Sequence, residues 1–179
     1  MTYEDVINFW FHELEPAQHW KKDLEFDQLI VDRFGELHRQ ATLCELFDWR
    51  ESPQGRLAEV IVLDQFSRNM YRDTALAFAF DTQALTLAQE AVAQKADDEL
   101  STEQQVFLYM PFMHSESLKV HKVAVELFTK NGIQNTLDYE YKHKEIIEKF
   151  GRYPHRNEIL GRESIPDEIE FLAQPGSSF

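Results

Sequence analysis

An all-α fold is predicted by three features of the 179-residue sequence: apolar residues recur at spacings of three and four, no segment sustains an alternation of apolar and polar positions, and only six prolines and six glycines punctuate it. With 43% hydrophobic and 13% aromatic residues the chain can bury one sizeable core, so a single all-helical domain over residues 1–179 is expected. Thr2 is placed to cap a first helix carrying Val6, Ile7, Phe9, Trp10 and Leu14, with Asp5 where a capping-box acid belongs. Residues 23–41 put Phe26, Leu29, Ile30, Phe34 and Leu37 on one stripe of a second helix. Ser52-Pro53 then supplies a cap and a first-turn proline for a third. That helix runs through Leu57, Val60, Ile61, Val62, Leu63 and Phe66, and four consecutive apolar positions cover most of its circumference, which predicts a central helix.

Over residues 75–94, Ala77, Ala84, Ala88 and Ala91 line one helical face with small side chains that admit a close neighbour. Ser101 or Thr102 starts the next helix, which Pro111 is expected to interrupt. A further one from Ser115 carries Val120, Val123, Ala124, Leu127 and Phe128 and stops at Gly132. Residues 135–150 follow, with Gly151 as the stop, and Pro154 and Ser164-Ile165-Pro166-Asp167 open two short closing helices before Gln174-Pro175-Gly176-Ser177-Ser178. The expected architecture is a stack of helical hairpins, about seven to nine helices in all, of tetratricopeptide-like size but without a consensus repeated at a fixed period.

Eighteen Lys and Arg stand against 32 Asp and Glu, a formal charge of −14, so a broad nucleic-acid or anionic-membrane surface would form against the protein's own field. No apolar run approaches the roughly 20 residues that span a bilayer, and Glu4, Asp5, Asn8 and His12 interrupt the beginning of the chain where a leader peptide would be apolar. Cys44 is the only cysteine, which excludes an internal disulfide and fits a reducing compartment, the cytoplasm being the simplest. The glycines are too scattered for a dinucleotide fingerprint or phosphate loop, and no cofactor is implied.

Polar residues in apolar surroundings mark the candidate sites. Asp64, Gln65, Arg68 and Asn69 continue the central helix directly beyond its apolar run, where some of them must find partners out of water. Asp64, Arg68 and Arg72 lie at i, i+4 and i+8 on one stripe, either as a functional array or as ordinary solvent-facing pairs. Asp81 shares a face with Ala77, Ala84, Leu85 and Ala88 and calls for a cation, Arg68 or Arg72, as a structural ion pair or a ligand contact. His143 lies with Tyr139, Ile146, Ile147 and Phe150 and points inward, as a catalyst or a hydrogen-bonded core residue. His114-Ser115-Glu116 sets a proton donor, a hydroxyl and a carboxylate at the start of a helix, unless Ser115 is a simple cap and Glu116 a first-turn acid. Residues 142–163 carry six Lys or Arg and four Asp or Glu, a local +2 in an acidic chain. Within them Arg152, Arg156 and Arg162 project from a tight turn, suited to a small anion or to clamping the protein's own acids.

Leu63-Asp64-Gln65-Phe66-x-Arg68-Asn69-x-Tyr71-Arg72, His114-Ser115-Glu116, Phe150-Gly151-Arg152-Tyr153-Pro154-His155-Arg156-Asn157, Leu160-Gly161-Arg162 and the terminal Pro175-Gly176-Ser177-Ser178-Phe179 occur in this order. As a set they resemble the bacterial family known as domain of unknown function 924, over nearly the whole chain. Ser67 departs from the family pattern, which usually has proline there. The resemblance implies an all-helical, tetratricopeptide-like fold and no particular reaction. Its motif falls on Asp64, Arg68, Asn69, Arg72, His114, Glu116, His143, Arg152, His155, Arg156 and Arg162. The central helix, the His114 turn and the arginine-rich segment are expected to converge on one polar pocket of net cationic character, binding a small carboxylate or phosphate. Two other functions fit less of the pattern. One is a helical scaffold that captures a peptide end. The other is a metal-dependent hydrolase using His114, Glu116, His143 or His155, for which no metal-binding spacing is present.

Overall fold

A computed structural model describes residues 1–178, and Phe179, the last residue of the terminal motif, lies outside the described residues. The described residues form α, 3-10 and π helices joined by turns, with no strand among them. The α-helices are α1 (Tyr3–Asn8), α2 (Leu24–Thr42), α3 (Pro53–Ile61), α4 (Ser67–Met70), α5 (Asp81–Ala93), α6 (Thr102–Met113), α7 (Leu118–Asn131), α8 (Gln134–Phe150) and α9 (Pro166–Leu172). Their ends carry the expected chemistry. The Asp5 carboxylate accepts the Thr2 amide at 2.8 Å, Asp23 accepts two amides of α2, and Ser52 and Ser101 accept those of Gly55 and Gln104. Gly132 and Gly151 close α7 and α8 with positive φ.

α3, a π turn at Val62–Phe66 and α4 make one continuous helical rod, which is the predicted central helix. Leu57, Ala58, Val60, Ile61, Val62, Leu63 and Phe66 on it are all completely buried. It packs on α1, α5 and α6, while α6, α7 and α8 pack on one another in succession. Phe66 binds the layers together, its ring lying 6.1 Å from that of Phe9, 5.6 Å from Trp10 and 4.8 Å from Phe34. A smaller apolar cluster of Ile146, Ile147 and Tyr153 joins α8 to the segment after it.

Four expectations are corrected. Residues 75–94 are not one helix: a 3-10 turn at Ala75–Phe78 precedes α5, which starts at Asp81, an acid favoured by the N-terminal dipole. Pro111 does not interrupt α6; it sits inside the last turn, where every residue from 106 to 113 is buried and packing outweighs the lost amide. Ser115 and Glu116 do not open α7, which begins at Leu118 after Ser117. Leu29 and Val123, assigned to buried stripes, are 47% and 40% exposed, at the edges of apolar arcs narrower than the spacing suggests.

Candidate functional site

The π turn contains Asp64, whose carboxylate is completely buried. Its Oδ1 lies 2.8 Å from His114 Nδ1 and 3.1 Å from an Arg68 Nη, and its Oδ2 accepts Gln65 Nε2 at 2.6 Å. Burial by itself raises the Asp64 pKa, but the charges of Arg68 and His114 and the hydrogen bonds from His114 and Gln65 outweigh it and hold the carboxyl well below the usual range. An ionised carboxylate only accepts, so His114 Nδ1 carries the hydrogen. His114 is itself pushed down, first by burial and then by Arg68, and is neutral at pH 7.

Arg68 reaches away from the rod to Asp81 at the start of α5, with Nη1 and Nη2 donating to its two carboxylate oxygens at 2.9 and 3.0 Å. A second guanidinium meets the same carboxylate. Arg156, in the 3-10 turn Pro154–Arg156, donates to Asp81 Oδ2 at 3.2 Å and to the His114 carbonyl at 3.1 Å. It lies between the rings of Phe78 and Tyr153, 4.5 and 4.6 Å from their centroids. Arg156 is buried and its Nε has no hydrogen-bond partner. Burial, followed by repulsion from Arg68, lowers its pKa from the ordinary guanidinium value. Thus Asp64, Arg68, His114 and Arg156 converge as expected, with Asp81 as the common acceptor. Two carboxylates balance two guanidiniums, so the centre is not cationic by formal count. It reaches solvent along one rim, where the side chains of His114, Arg68 and Asp81 are 15%, 20% and 16% exposed.

His143 and His155 border this network through Tyr153, their ring centroids 5.7 and 5.5 Å from its ring. Burial drives them down to about 3 and about 4 respectively, so both are neutral, and His143 Nδ1 lies 2.8 Å from the Tyr139 carbonyl. Glu116 and Arg162 form a two-pronged pair at 2.7 and 2.9 Å, and the same carboxylate takes the Tyr153 amide at 2.7 Å. The remaining candidates lie elsewhere. Asn69 and Arg72 turn to Asp27 of α2, and Arg152 is held by Glu168 of α9 at 2.7 and 2.8 Å. These are contacts between elements: for Arg152 that is the clamp the sequence allowed, whereas Arg72 joins neither the Asp64–Arg68 stripe nor a pair along its own helix.

A buried pair escaped the sequence reading: His121 Nδ1 lies 2.8 Å from Glu140 Oε1, both groups completely buried. The available signal was that Glu140 shares a helix face with His143 and Ile147, as His121 does with Ala124 and Phe128. Two shallow recesses, beside α1 at Ile7 and His12 and beside Gln18 and Phe26, involve none of the network's residues.

The model of a family described as bacterial protein of unknown function, DUF924, matches residues 6–176, and the chain belongs to that family. It is also similar to the solved structure of protein of unknown function ATU0120 from Agrobacterium tumefaciens, with 37% identity, a TM-score of 0.91 and 96% of each chain covered. No curated protein matches it. No helix among the described residues is long and apolar enough to cross a membrane.

Proposed function

We propose that the chain binds a small molecule bearing a carboxylate or phosphate at the rim formed by Arg68, Asp81, His114 and Arg156. One observation carries the reading: two guanidiniums share the Asp81 carboxylate, and the buried one, Arg156, retains an Nε without an acceptor and a depressed pKa. Arg156 thus keeps hydrogen-bonding capacity that the protein does not use, and guanidinium forks match carboxylate and phosphate oxygens. The formal balance is a constraint on the ligand, which must share Arg68 and Arg156 with Asp81 or displace it. A peptide's terminal carboxylate offers the same chemistry, so the helical scaffold differs from this reading in the size of the partner. The metal-dependent hydrolase draws little support, because no group of three or more His, Cys, Asp or Glu among the described residues is arranged to hold a metal ion. Cys44, exposed and not in a disulfide, supports a reducing compartment such as the cytoplasm.

The test is a thermal-unfolding screen with inorganic phosphate, small carboxylates and short peptides. A ligand at about 100 times its Kd adds about 2.7 kcal/mol to stability. We expect the melting temperature to rise with an anion in the wild type and not in a folded Arg156→Ala variant. An equal rise in the variant removes the site, and a variant that does not fold assigns Arg156 to structure alone. A response to peptides and to no small anion favours the scaffold.

A further inference from the structure

We propose that His114 is the proton acceptor of a catalytic centre, its Nε2 deprotonating a hydroxyl group, of water or of the substrate, beside the anion held by Arg68 and Arg156. The substrate class rests on the anion-binding reading above; the base does not. In free imidazole the hydrogen prefers Nε2, but the ionised Asp64 requires it on Nδ1, so the lone pair sits on Nε2. The ring is 15% exposed at the rim, beside Arg68 through their shared Asp64 carboxylate, and Arg156 binds the carbonyl of the same residue. In the step, the O–H bond breaks with its electron pair left on oxygen and an Nε2–H bond forms. Asp64 offsets the charge of the resulting imidazolium, and the guanidiniums stand next to the developing oxyanion.

The turn that presents His114 is fixed more firmly than a loop requires. Three consecutive carbonyls, of Met113, His114 and Ser115, each receive a side-chain hydrogen bond, two of them from residues remote in sequence, Tyr153 at 2.6 Å and Arg156 at 3.1 Å, and the third from His121 of α7 at 2.8 Å. A carbonyl only accepts, so His121 Nε2 carries a hydrogen, and its other nitrogen is held by Glu140. Such support confines a side chain to one geometry, which proton transfer needs and simple packing does not. His121, Glu140 and Tyr153 are on this account positioning residues.

Two measurements on the full chain test the proposal. Long-range proton–nitrogen NMR of histidine-labelled protein at neutral pH should find His114 with its hydrogen on Nδ1; the Nε2-protonated form overturns the assignment and needs no variant. Diethyl pyrocarbonate, an electrophile that takes the lone pair as a proton would, should acylate His114 at Nε2 in the wild type, read by mass spectrometry against the exposed His12. In Asp64→Asn that reaction should be lost while His12 reacts unchanged. An unreactive wild-type His114, or one equally reactive in a folded Asp64→Asn, sinks the base. Inorganic phosphate should protect His114 and leave His12 alone. Reaction without protection by phosphate retains the base and counts against the anion, whereas anion-dependent stabilisation with an inert His114 retains the anion and rejects the base.

Discussion

Burial holds His143 at about 3, His38 at about 4 and His155 at about 4, against 6.5 for an open imidazole. The unfolded chain binds protons at these positions below about pH 6.5 and the folded chain does not, so their contribution to stability is complete above that pH and is lost as pH falls through 6.5 toward 4. Glu168 adds a second, lower window. Hydrogen bonds from Arg152 lower it to about 2 from 4.5, so its contribution is present above 4.5 and disappears as pH falls toward 2. Urea unfolding measured at steps from pH 7 to 3 should give a falling stability throughout, with a shallower decline between 6.5 and 4 in His38→Gln and below 4.5 in Glu168→Gln. A flat wild-type profile above pH 4.5 contradicts the histidine account. At this scale the sequence carried the pairing of Asp81 with a cation, because its apolar helical neighbours are visible in the pattern. It did not carry the choice of Arg68 over Arg72, since the Arg72 partner, Asp27, is 45 residues away.

The glycines separate two mechanisms at the scale of the element. Gly151 ends α8 at φ +69°, with nothing within 4 Å of an added Cβ, so Gly151→Ala costs only the left-handed backbone conformation, about 1 kcal/mol. Gly55, in the first turn of α3, packs against the Trp49 carbonyl, which an added Cβ would overlap. Gly55→Ala should therefore cost about 3 kcal/mol or more, the top of the range for overpacking. Denaturant midpoints for the two variants distinguish these outcomes, and similar losses would mean that the Trp49 turn yields easily. The starts of α1, α2, α3 and α6 were legible because caps act over three residues, whereas those of α5 and α7, where no side chain caps the helix, were not. The π turn at Val62–Phe66 was not, although it houses Asp64. Beyond it, the Ser67 hydroxyl donates to the Leu63 carbonyl at 2.6 Å and lies 2.8 Å from His38 Nε2, so the residue that departs from the family pattern has buried polar work of its own.

Across the molecule, the apolar core extends from Val6 in α1 to Phe128 in α7 and is threaded by the central rod. Phe66 meets the rings of Phe9 and Trp10 in the π turn Phe9–Glu13 that follows α1 and of Phe34 in α2, so its loss is felt by several elements at once. Phe66→Ala should cost about 3–5 kcal/mol, measured by denaturant unfolding. A loss below about 1 kcal/mol would indicate that the core collapses to fill the space. The acidic surplus is handled by pairing: most arginines meet carboxylates on other elements, including Arg50 with Glu59 and Arg33 with Glu13, which leaves the net charge to exposed acids.

The sequence by itself determined the helical class, the central position of the third helix, the helix caps and the family, because each depends on residues within about one turn of one another or on their linear order. Only the tertiary structure decided which basic groups come together. It took Arg68, His114 and Arg156 to one network and sent Arg72, Arg152 and Arg162 to clamps, according to which carboxylate folding brought within hydrogen-bond reach. Charge pairing acts over a few ångströms in space, and no spacing along the chain records which distant segments will meet.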